Sequence, residues 1–221
     1  MKKIDSLIFD IDGTIWDSVD VCAKAWNKVI SENSDRAADV TGKELMGLFG
    51  KPMNIIFDAL FPGMTKEEEE RLSALCVEYE NELLKTEPGI PYPEVVETLR
   101  TLSESYPLFI VSNCQSGYIE ACMEALKIGE YITDYTCFGD HPVSKGQNIL
   151  EIMKKNHMAA PVYIGDTAGD EEACREAGIL FAYAAYGFGK AEEPDFRIEK
   201  FADLLELFGN SSFTGTESVL K

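Results

Sequence analysis

An apolar run, Leu7-Ile8-Phe9, passes directly into the acidic turn Asp10-Ile11-Asp12-Gly13-Thr14. A short apolar run that ends in two carboxylates and a glycine predicts a buried strand with an acidic turn at its tip. A turn at Asp12 gives Asp10 and Asp12 different directions, because only a continued strand would hold them on one face. Open α/β sheets keep their active sites at such strand ends. The alternative is an acidic loop without chemistry.

Length and charge limit the class of protein and its partners. The chain has 221 residues, 45% of them hydrophobic, and a formal net charge of −19. Its length suits one large domain, or a core domain with a smaller inserted one. An acidic surface repels nucleic acid and anionic lipid, so we expect neither as a partner. We expect a cytoplasmic protein, since no apolar stretch approaches the roughly 20 residues of a membrane span.

Short apolar runs alternate with helical patterns along the chain. This alternation predicts a doubly wound α/β fold, in which helices cover both faces of a parallel sheet. The predicted strands are 4–9, 108–111, 135–138, 162–164 and 180–183.

About a hundred residues separate the first two predicted strands, where a crossover usually needs only a few tens. Three helices are predicted within this segment, at 19–31, 52–60 and 65–85. The sequence therefore predicts an all-helical cap inserted into the core. We assign residues 1–16 and 88–208 to the core, 17–87 to the cap and 209–221 to a flexible tail.

Polar and charged residues follow three further predicted strands. They are Ser112 and Asn113, then Lys145 in the loop after the third strand, then Asp166 and Asp170. Because the carboxyl ends of parallel strands meet at one edge of a sheet, we expect these groups to join Asp10 and Asp12. Carboxylates, a lysine and neutral donors are the groups that phosphoryl transfer requires, and oxygen-only ligands favour Mg²⁺ over zinc.

Each of these motifs also has a structural interpretation. Ser112 and Asn113 could cap the helix predicted at 116–126, and a lysine such as Lys145 is most often on the surface. Asp166 and Asp170 could be ordinary loop and helix-start residues. A purely structural interpretation must explain all four motifs together.

The four motifs, in this order and each after a strand, resemble the haloacid dehalogenase superfamily over residues 1–207. The similarity is to its phosphatase branch, in which a helical cap follows the first strand. The resemblance implies that Asp10 attacks phosphorus to give an aspartyl-phosphate, which water then hydrolyses. It implies that Asp12 protonates the leaving oxygen and then activates the water.

The resemblance also implies a Mg²⁺ site and a phosphate site. Asp10, the backbone carbonyl of Asp12 and Asp166 would hold the ion, with Asp170 bound to it directly or through a neighbouring ligand. Two further groups, Ser112 and Asn113, would bind the phosphoryl oxygens. Lys145 would balance the charge of the carboxylates and the phosphate.

Two departures from the family pattern affect these expectations. Many relatives have proline after the motif lysine, whereas Gly146 follows Lys145 here, which predicts a less rigid loop. In the similar β-phosphoglucomutases a cap histidine stands about twelve residues after the nucleophile, where this chain has Cys22. His141 and His157 both lie outside the predicted cap, so the mutase interpretation loses support.

We therefore expect a Mg²⁺-dependent phosphatase of the phosphoglycolate phosphatase type, acting on a small phosphorylated metabolite. The alternatives are a phosphomutase and a non-catalytic ligand-binding regulator. The cap segment 41–51 resembles a specificity element, in which Lys43 or Lys51 meets a second anionic group while Met46 and Phe49 exclude water. Solvated lysines are an equal alternative. No sequence pattern indicates the oligomeric state or the exact substrate.

Overall fold

The computed structural model describes residues 3–209 of the chain. Its strands are β1 (Ser6–Phe9), β2 (Trp16–Asp17), β3 (Ile90–Pro91), β4 (Leu108–Ser112), β5 (Ile132–Cys137), β6 (Pro161–Gly165), β7 (Leu180–Ala184) and β8 (Phe196–Ile198). Its helices are α1 (Val19–Asn33), α2 (Gly42–Met46), α3 (Met53–Leu60), α4 (Lys66–Thr86), α5 (Val95–Ser103), α6 (Tyr118–Leu126), α7 (Lys145–Lys155), α8 (Ala168–Ala177) and α9 (Asp203–Phe208). A helix long and apolar enough to cross a membrane is absent from residues 3–209.

Six strands form one parallel sheet in the order β5-β4-β1-β6-β7-β8. Every residue of β1, β4 and β6 is buried, which explains why these strands are mostly apolar runs rather than alternating with polar residues. The predicted parallel sheet is confirmed.

Successive residues of β1 enter two different hydrophobic clusters. Leu7 and Phe9 belong to a cluster that also contains residues of α1, α5, α6 and α9. Ile8 belongs to a second cluster with Ile149 of α7 and Cys174 of α8. Since side chains alternate across a strand, the sheet is covered by helices on both faces, as a doubly wound fold requires.

Four helices, α1 to α4, lie between β2 and β3, within the long connection from β1 to β4. The segment that leaves the core and the segment that returns to it lie side by side, because β2 and β3 pair antiparallel there. The inserted all-helical cap is thereby confirmed. The exact division into 1–16 with 88–208 and 17–87 stays a prediction, and residues 210–221 of the predicted tail lie outside the described residues.

Short elements account for most of the differences from the sequence expectations. Helix α2 was not predicted, because its five residues are too few to show a helical period. A capping box starts it, in which Glu44 N donates to the Thr41 hydroxyl and Thr41 N donates to the Glu44 carboxylate. Strands β2, β3 and β8 have two or three residues each and carry no alternation.

Candidate active site

The acidic turn that contains Asp10 and the segment that contains Asp166 meet where the chain turns after β1. Asp10 follows the last residue of β1, and its N–H donates to Ile164 O of β6 at 2.9 Å. Gly13 has φ of +73°, and a Cβ at this position would lie 2.1 Å from Asp166 Oδ2. Glycine therefore serves twice here, because it takes the left-handed backbone conformation and lets the Asp166 carboxylate approach the turn.

Lys145 forms hydrogen bonds to Asp10 and to Asp170, which lie far apart in the sequence. Its Nζ donates to Asp10 Oδ2 at 3.0 Å and to Asp170 Oδ1 at 2.5 Å, and its side chain is 4% exposed. Burial by itself lowers the pKa of Lys145, but the Asp10 and Asp170 carboxylates outweigh it and raise the pKa above its usual value. Lys145 is therefore a buried cation and not a surface lysine.

The expectation of a loose loop around Lys145 is wrong. Lys145 lies in the first turn of α7, which begins after Ser144, whose hydroxyl accepts a hydrogen bond from Gln147 N. A Cβ on Gly146 would lie 2.3 Å from Glu176 Oε2 and 2.8 Å from Glu176 Cβ. The glycine thus permits close packing of α7 against α8, and the helix fixes the position of the lysine.

The carboxylates of Asp10, Asp166 and Asp170 each offer an oxygen within 4.8 Å of the others, and all three residues are buried. Burial raises the pKa of Asp10, and it raises the pKa of Asp166 to about 8. Lys145 is one cation beside three carboxyl groups, so the cluster is suited to bind further positive charge.

The hydrogen bonds indicate which carboxylate oxygens are available to a metal. Asp170 Oδ2 accepts from Thr167 N at 2.9 Å and from the Thr167 hydroxyl at 2.7 Å, while Oδ1 accepts from Lys145. Asp10 Oδ1 and Asp166 Oδ1 are buried and accept no hydrogen bond from the described residues. Two unpartnered buried oxygens beside a third carboxylate fit a divalent cation that prefers oxygen ligands.

Asp170 is thus both the helix-start residue that the structural interpretation expected and the second partner of Lys145. It closes a capping box with Thr167 at the start of α8. Both of its oxygens already accept from protein donors, which favours an indirect role at the metal.

The Asp12 carboxylate accepts its hydrogen bonds through one of its two oxygens. Its Oδ1 accepts from Trp16 Nε1 at 3.2 Å, from the Ser18 hydroxyl at 2.8 Å and from the Tyr118 hydroxyl at 2.7 Å. Its Oδ2 accepts no hydrogen bond from the described residues, so the proton of the neutral acid has a place there. Withdrawal of the carboxyl from bulk water raises the pKa of Asp12 to about 7.

Ser112 and Asn113 lie at the end of β4, on the same edge of the sheet as Asp10. Neither caps the following helix, because α6 begins after Gly117, which has a φ of +85°. Ser112 is the buried last residue of β4. Asn113 Nδ2 donates to Gly50 O of the cap at 2.8 Å, so this amide also ties the cap loop to the core.

A small cavity of about 30 Å³ lies between these core residues and the cap. Its lining from the core is Asp10, Asp12, Ser112, Asn113, Cys114, Gln115 and Tyr118. Its lining from the cap is Trp26, Phe49, Gly50, Lys51, Met53, Ile56 and Glu80. Lys145 and Asn113 also line an adjoining cleft together with Lys51.

The cap segment that the sequence singled out contributes only in part. Phe49 and Lys51 line the cavity, and the Phe49 ring lies 6.4 Å from the ring of Phe188 in the core. Lys43 and Met46 are exposed residues of α2 and do not line this cavity. The structure therefore favours Lys51 over Lys43 as the lysine near the site.

Sequence reasoning missed Trp26, Glu80, Gln115 and Tyr118. Glu80 had one usable signal, since it interrupts an apolar stripe of α4 at every fourth residue. Leu72, Cys76, Glu80 and Leu84 are the buried residues of that stripe. A carboxylate at a core-facing position of a helix is a departure that calls for an explanation.

Comparison with known proteins was consistent across sequence and structure. The family model of haloacid dehalogenase-like hydrolases matches residues 7–184. A phosphoglycolate phosphatase of Aquifex aeolicus is 29% identical over 92% of this chain and 96% of its own length. The pyrophosphatase PpaX of Anoxybacillus flavithermus is 24% identical over 96% of this chain and 99% of its own length.

Among solved structures, a haloacid dehalogenase-like hydrolase from Streptococcus pneumoniae superposes with a TM-score of 0.79 at 23% identity. The match covers 94% of this chain and 100% of the other, and it supports the fold. The expected enzyme class is confirmed. The chain belongs to the haloacid dehalogenase-like hydrolase family, in its phosphatase branch.

Proposed function

We propose that this enzyme is a Mg²⁺-dependent phosphatase that acts in the cytoplasm on a small phosphomonoester, with Asp10 as the nucleophile. The observation that carries the proposal is the environment of Asp10. One carboxylate oxygen accepts a hydrogen bond from Lys145 at 3.0 Å, and the other is buried without a donor among the described residues. A carboxylate that a cation orients through one oxygen suits attack on phosphorus, and its other oxygen remains to hold a metal ion.

The reaction has two steps. An oxygen of Asp10 forms a bond to phosphorus while the bond from phosphorus to the leaving oxygen breaks, and Asp12 gives its proton to that oxygen. Asp12 then takes a proton from water, which attacks phosphorus and breaks the bond to Asp10. Inorganic phosphate leaves and Asp10 is restored. A pKa of about 7 suits Asp12, because a group that gives and then takes a proton works best near the ambient pH.

The acidic cluster supports a metal role in the proposal. Asp10, Asp166 and the backbone carbonyl of Asp12 would hold the ion, while Asp170 keeps Lys145 in place. When bound, Mg²⁺ supplies positive charge against the phosphoryl oxygens. Ser112 and Asn113 donate hydrogen bonds to those oxygens, and Lys145 adds the charge of its ammonium group.

The test is phosphate release from a panel of phosphorylated metabolites, first with Mg²⁺ and then with a chelator. The panel includes phosphoglycolate and pyrophosphate, after the activities named for the relatives, together with sugar phosphates and nucleoside monophosphates. Release from a few compounds, abolished by the chelator and by Asp10→Asn, is the expected result. Transfer of phosphate within a sugar phosphate without release would point instead to a phosphomutase. Binding without turnover would point to a regulator.

A further inference from the structure

Glu80 is a buried carboxylate in the cap wall of the cavity, opposite the catalytic carboxylates. It lies in the C-terminal half of α4 and is 2% exposed. Burying a carboxyl group costs free energy, and the cost is large when no cation accompanies it. A leucine at this position of the apolar stripe would avoid that cost, so packing alone does not account for Glu80.

The partners of Glu80 are neutral. Trp26 Nε1 donates to Oε2, and Gln115 Nε2 donates to Oε1 at 2.7 Å. Within residues 3–209 no lysine, arginine or histidine forms an ion pair with Glu80, in contrast to Asp10. A carboxylate has about four acceptor positions, so these two donors leave it able to accept more.

Glu80 and both of its donors line the same cavity as Asp10 and Asp12. This places an acceptor group on the wall that faces whatever part of the substrate extends from the phosphoryl group into the cap. Lys51 is the cationic residue of that lining, but it is exposed and shares the adjoining cleft with Lys145 and Asn113. Its charge is therefore solvated and next to the phosphate-binding residues.

We propose that Glu80 selects the leaving group of the substrate: it accepts a hydrogen bond from a hydroxyl or ammonium group and disfavours a second anionic group. The inference rests on the proposed phosphatase function and narrows its substrate class. A carboxylate on the substrate would face the carboxylate of Glu80 across a cavity with largely buried or half-buried walls, where like charges repel strongly. Neutral polyol phosphates and amino alcohol phosphates fit this wall, and phosphoglycolate does not.

Two matched pairs of compounds test the proposal with the wild-type enzyme at pH 8 and saturating Mg²⁺. Glycerol 3-phosphate is compared with 3-phosphoglycerate, and phosphoethanolamine with phosphoglycolate. We expect kcat/KM to favour the member without the carboxylate by about tenfold or more in each pair. Equal or better hydrolysis of the carboxylate compounds would overturn the proposal without any variant.

Glu80→Gln then assigns the preference to this side chain. We expect the ratio within each pair to fall by about fivefold or more, mainly through KM for the carboxylate compounds, because the amide removes the repulsion. Glu82→Gln is the matched control, since Glu82 lies on the same helix, is 68% exposed and pairs with Lys85. The ratios of Glu82→Gln should equal those of the wild type.

An unchanged ratio in folded Glu80→Gln would also overturn the proposal. Absence of phosphate release from all four compounds and from the wider panel would overturn the phosphatase function itself, and this inference with it.

Discussion

Two buried carboxylates on the two walls of the cavity, Asp10 and Glu80, are held in opposite ways. On the core wall, Asp10 is paired with Lys145, which also binds Asp170. On the cap wall, Glu80 has the neutral donors Trp26 and Gln115. The core wall therefore has its own cation and carboxylate oxygens for a metal, as phosphate chemistry requires. The cap wall has an uncompensated acceptor, which suits discrimination between leaving groups.

The largest expected effect is on the core wall, at Asp10. Asp10→Asn should lower kcat on the order of 10⁴-fold or more, because loss of a nucleophile removes the covalent route. Phosphate release measures the rate. Mass spectrometry of the intact wild-type protein, quenched during turnover, should detect an added phosphoryl group that the variant lacks. Activity within tenfold of the wild type would exclude Asp10 as the nucleophile.

Asp12→Asn should lower kcat by about 10²- to 10⁴-fold for alkyl phosphates, because their leaving oxygen needs a proton. The loss should be smaller in the first step for p-nitrophenyl phosphate, whose leaving group is stable as an anion. Burst kinetics with the two classes of ester separate that step from hydrolysis of the phosphorylated enzyme. Equal losses of the first-step rate for both classes would assign Asp12 a role other than acid.

Lys145→Met tests whether the core wall depends on its cation. Without it, Asp10 and Asp170 remain buried and uncompensated, so we expect the free energy of unfolding to fall by about 3 kcal/mol. Lys155→Met is the control on the same helix, since Lys155 is 69% exposed where it pairs with Asp134. Its change should stay below about 1 kcal/mol. Denaturant titration without metal ions gives both values, and similar values for the two variants would contradict the comparison.

The smallest expected effect is the pH dependence of stability on the cap wall. Burial raises the pKa of Glu80 in the folded protein above the value of about 4.3 expected for the unfolded chain. At a pH between the unfolded-state and folded-state pKa values of Glu80, the folded state binds more protons than the unfolded state. The contribution of Glu80 to stability therefore falls as the pH rises through this range. The stability of Glu80→Gln relative to the wild type should therefore increase from pH 5 to pH 8.

The expected increase is on the order of 1 kcal/mol for each pKa unit by which burial raises Glu80. Denaturant titrations of both proteins at matched pH values measure it, and the subtraction removes the titration of the other carboxyl groups. Glu82→Gln should show no such trend, because its side chain is 68% exposed. A flat difference for Glu80→Gln would mean that Glu80 titrates as if in water.

The fold was largely predictable from local patterns. Strands β1, β4, β6 and β7 are apolar runs because both faces of the sheet are covered, and α1, α3 and α4 were long enough to show their period. The elements that were missed at the cap hinge, in the cap and at the C-terminal end of the core have two to six residues, which is below the length at which periodicity carries information. Their positions depend on the packing of longer elements.

The candidate site also contains residues that could be predicted from the sequence and contacts that could not. Asp10, Lys145 and Asp166 could be predicted together because parallel strands end at one edge of the sheet, and the structure brings them there. The contacts of Tyr118 with Asp12 and of Gln115 with Glu80 join residues 106 and 35 positions apart. Such contacts follow from how the helices pack, which no local pattern records.

By itself, the sequence predicted which residues gather at the strand ends, since the order of strands and the polar residues after them point to one edge of the sheet. Only the tertiary structure decided that Lys145 is buried between two carboxylates and that Glu80 lines the cavity with the neutral partners Trp26 and Gln115. The physical reason is that charge compensation depends on which groups meet in a low-dielectric interior. That meeting is fixed by packing across the whole chain.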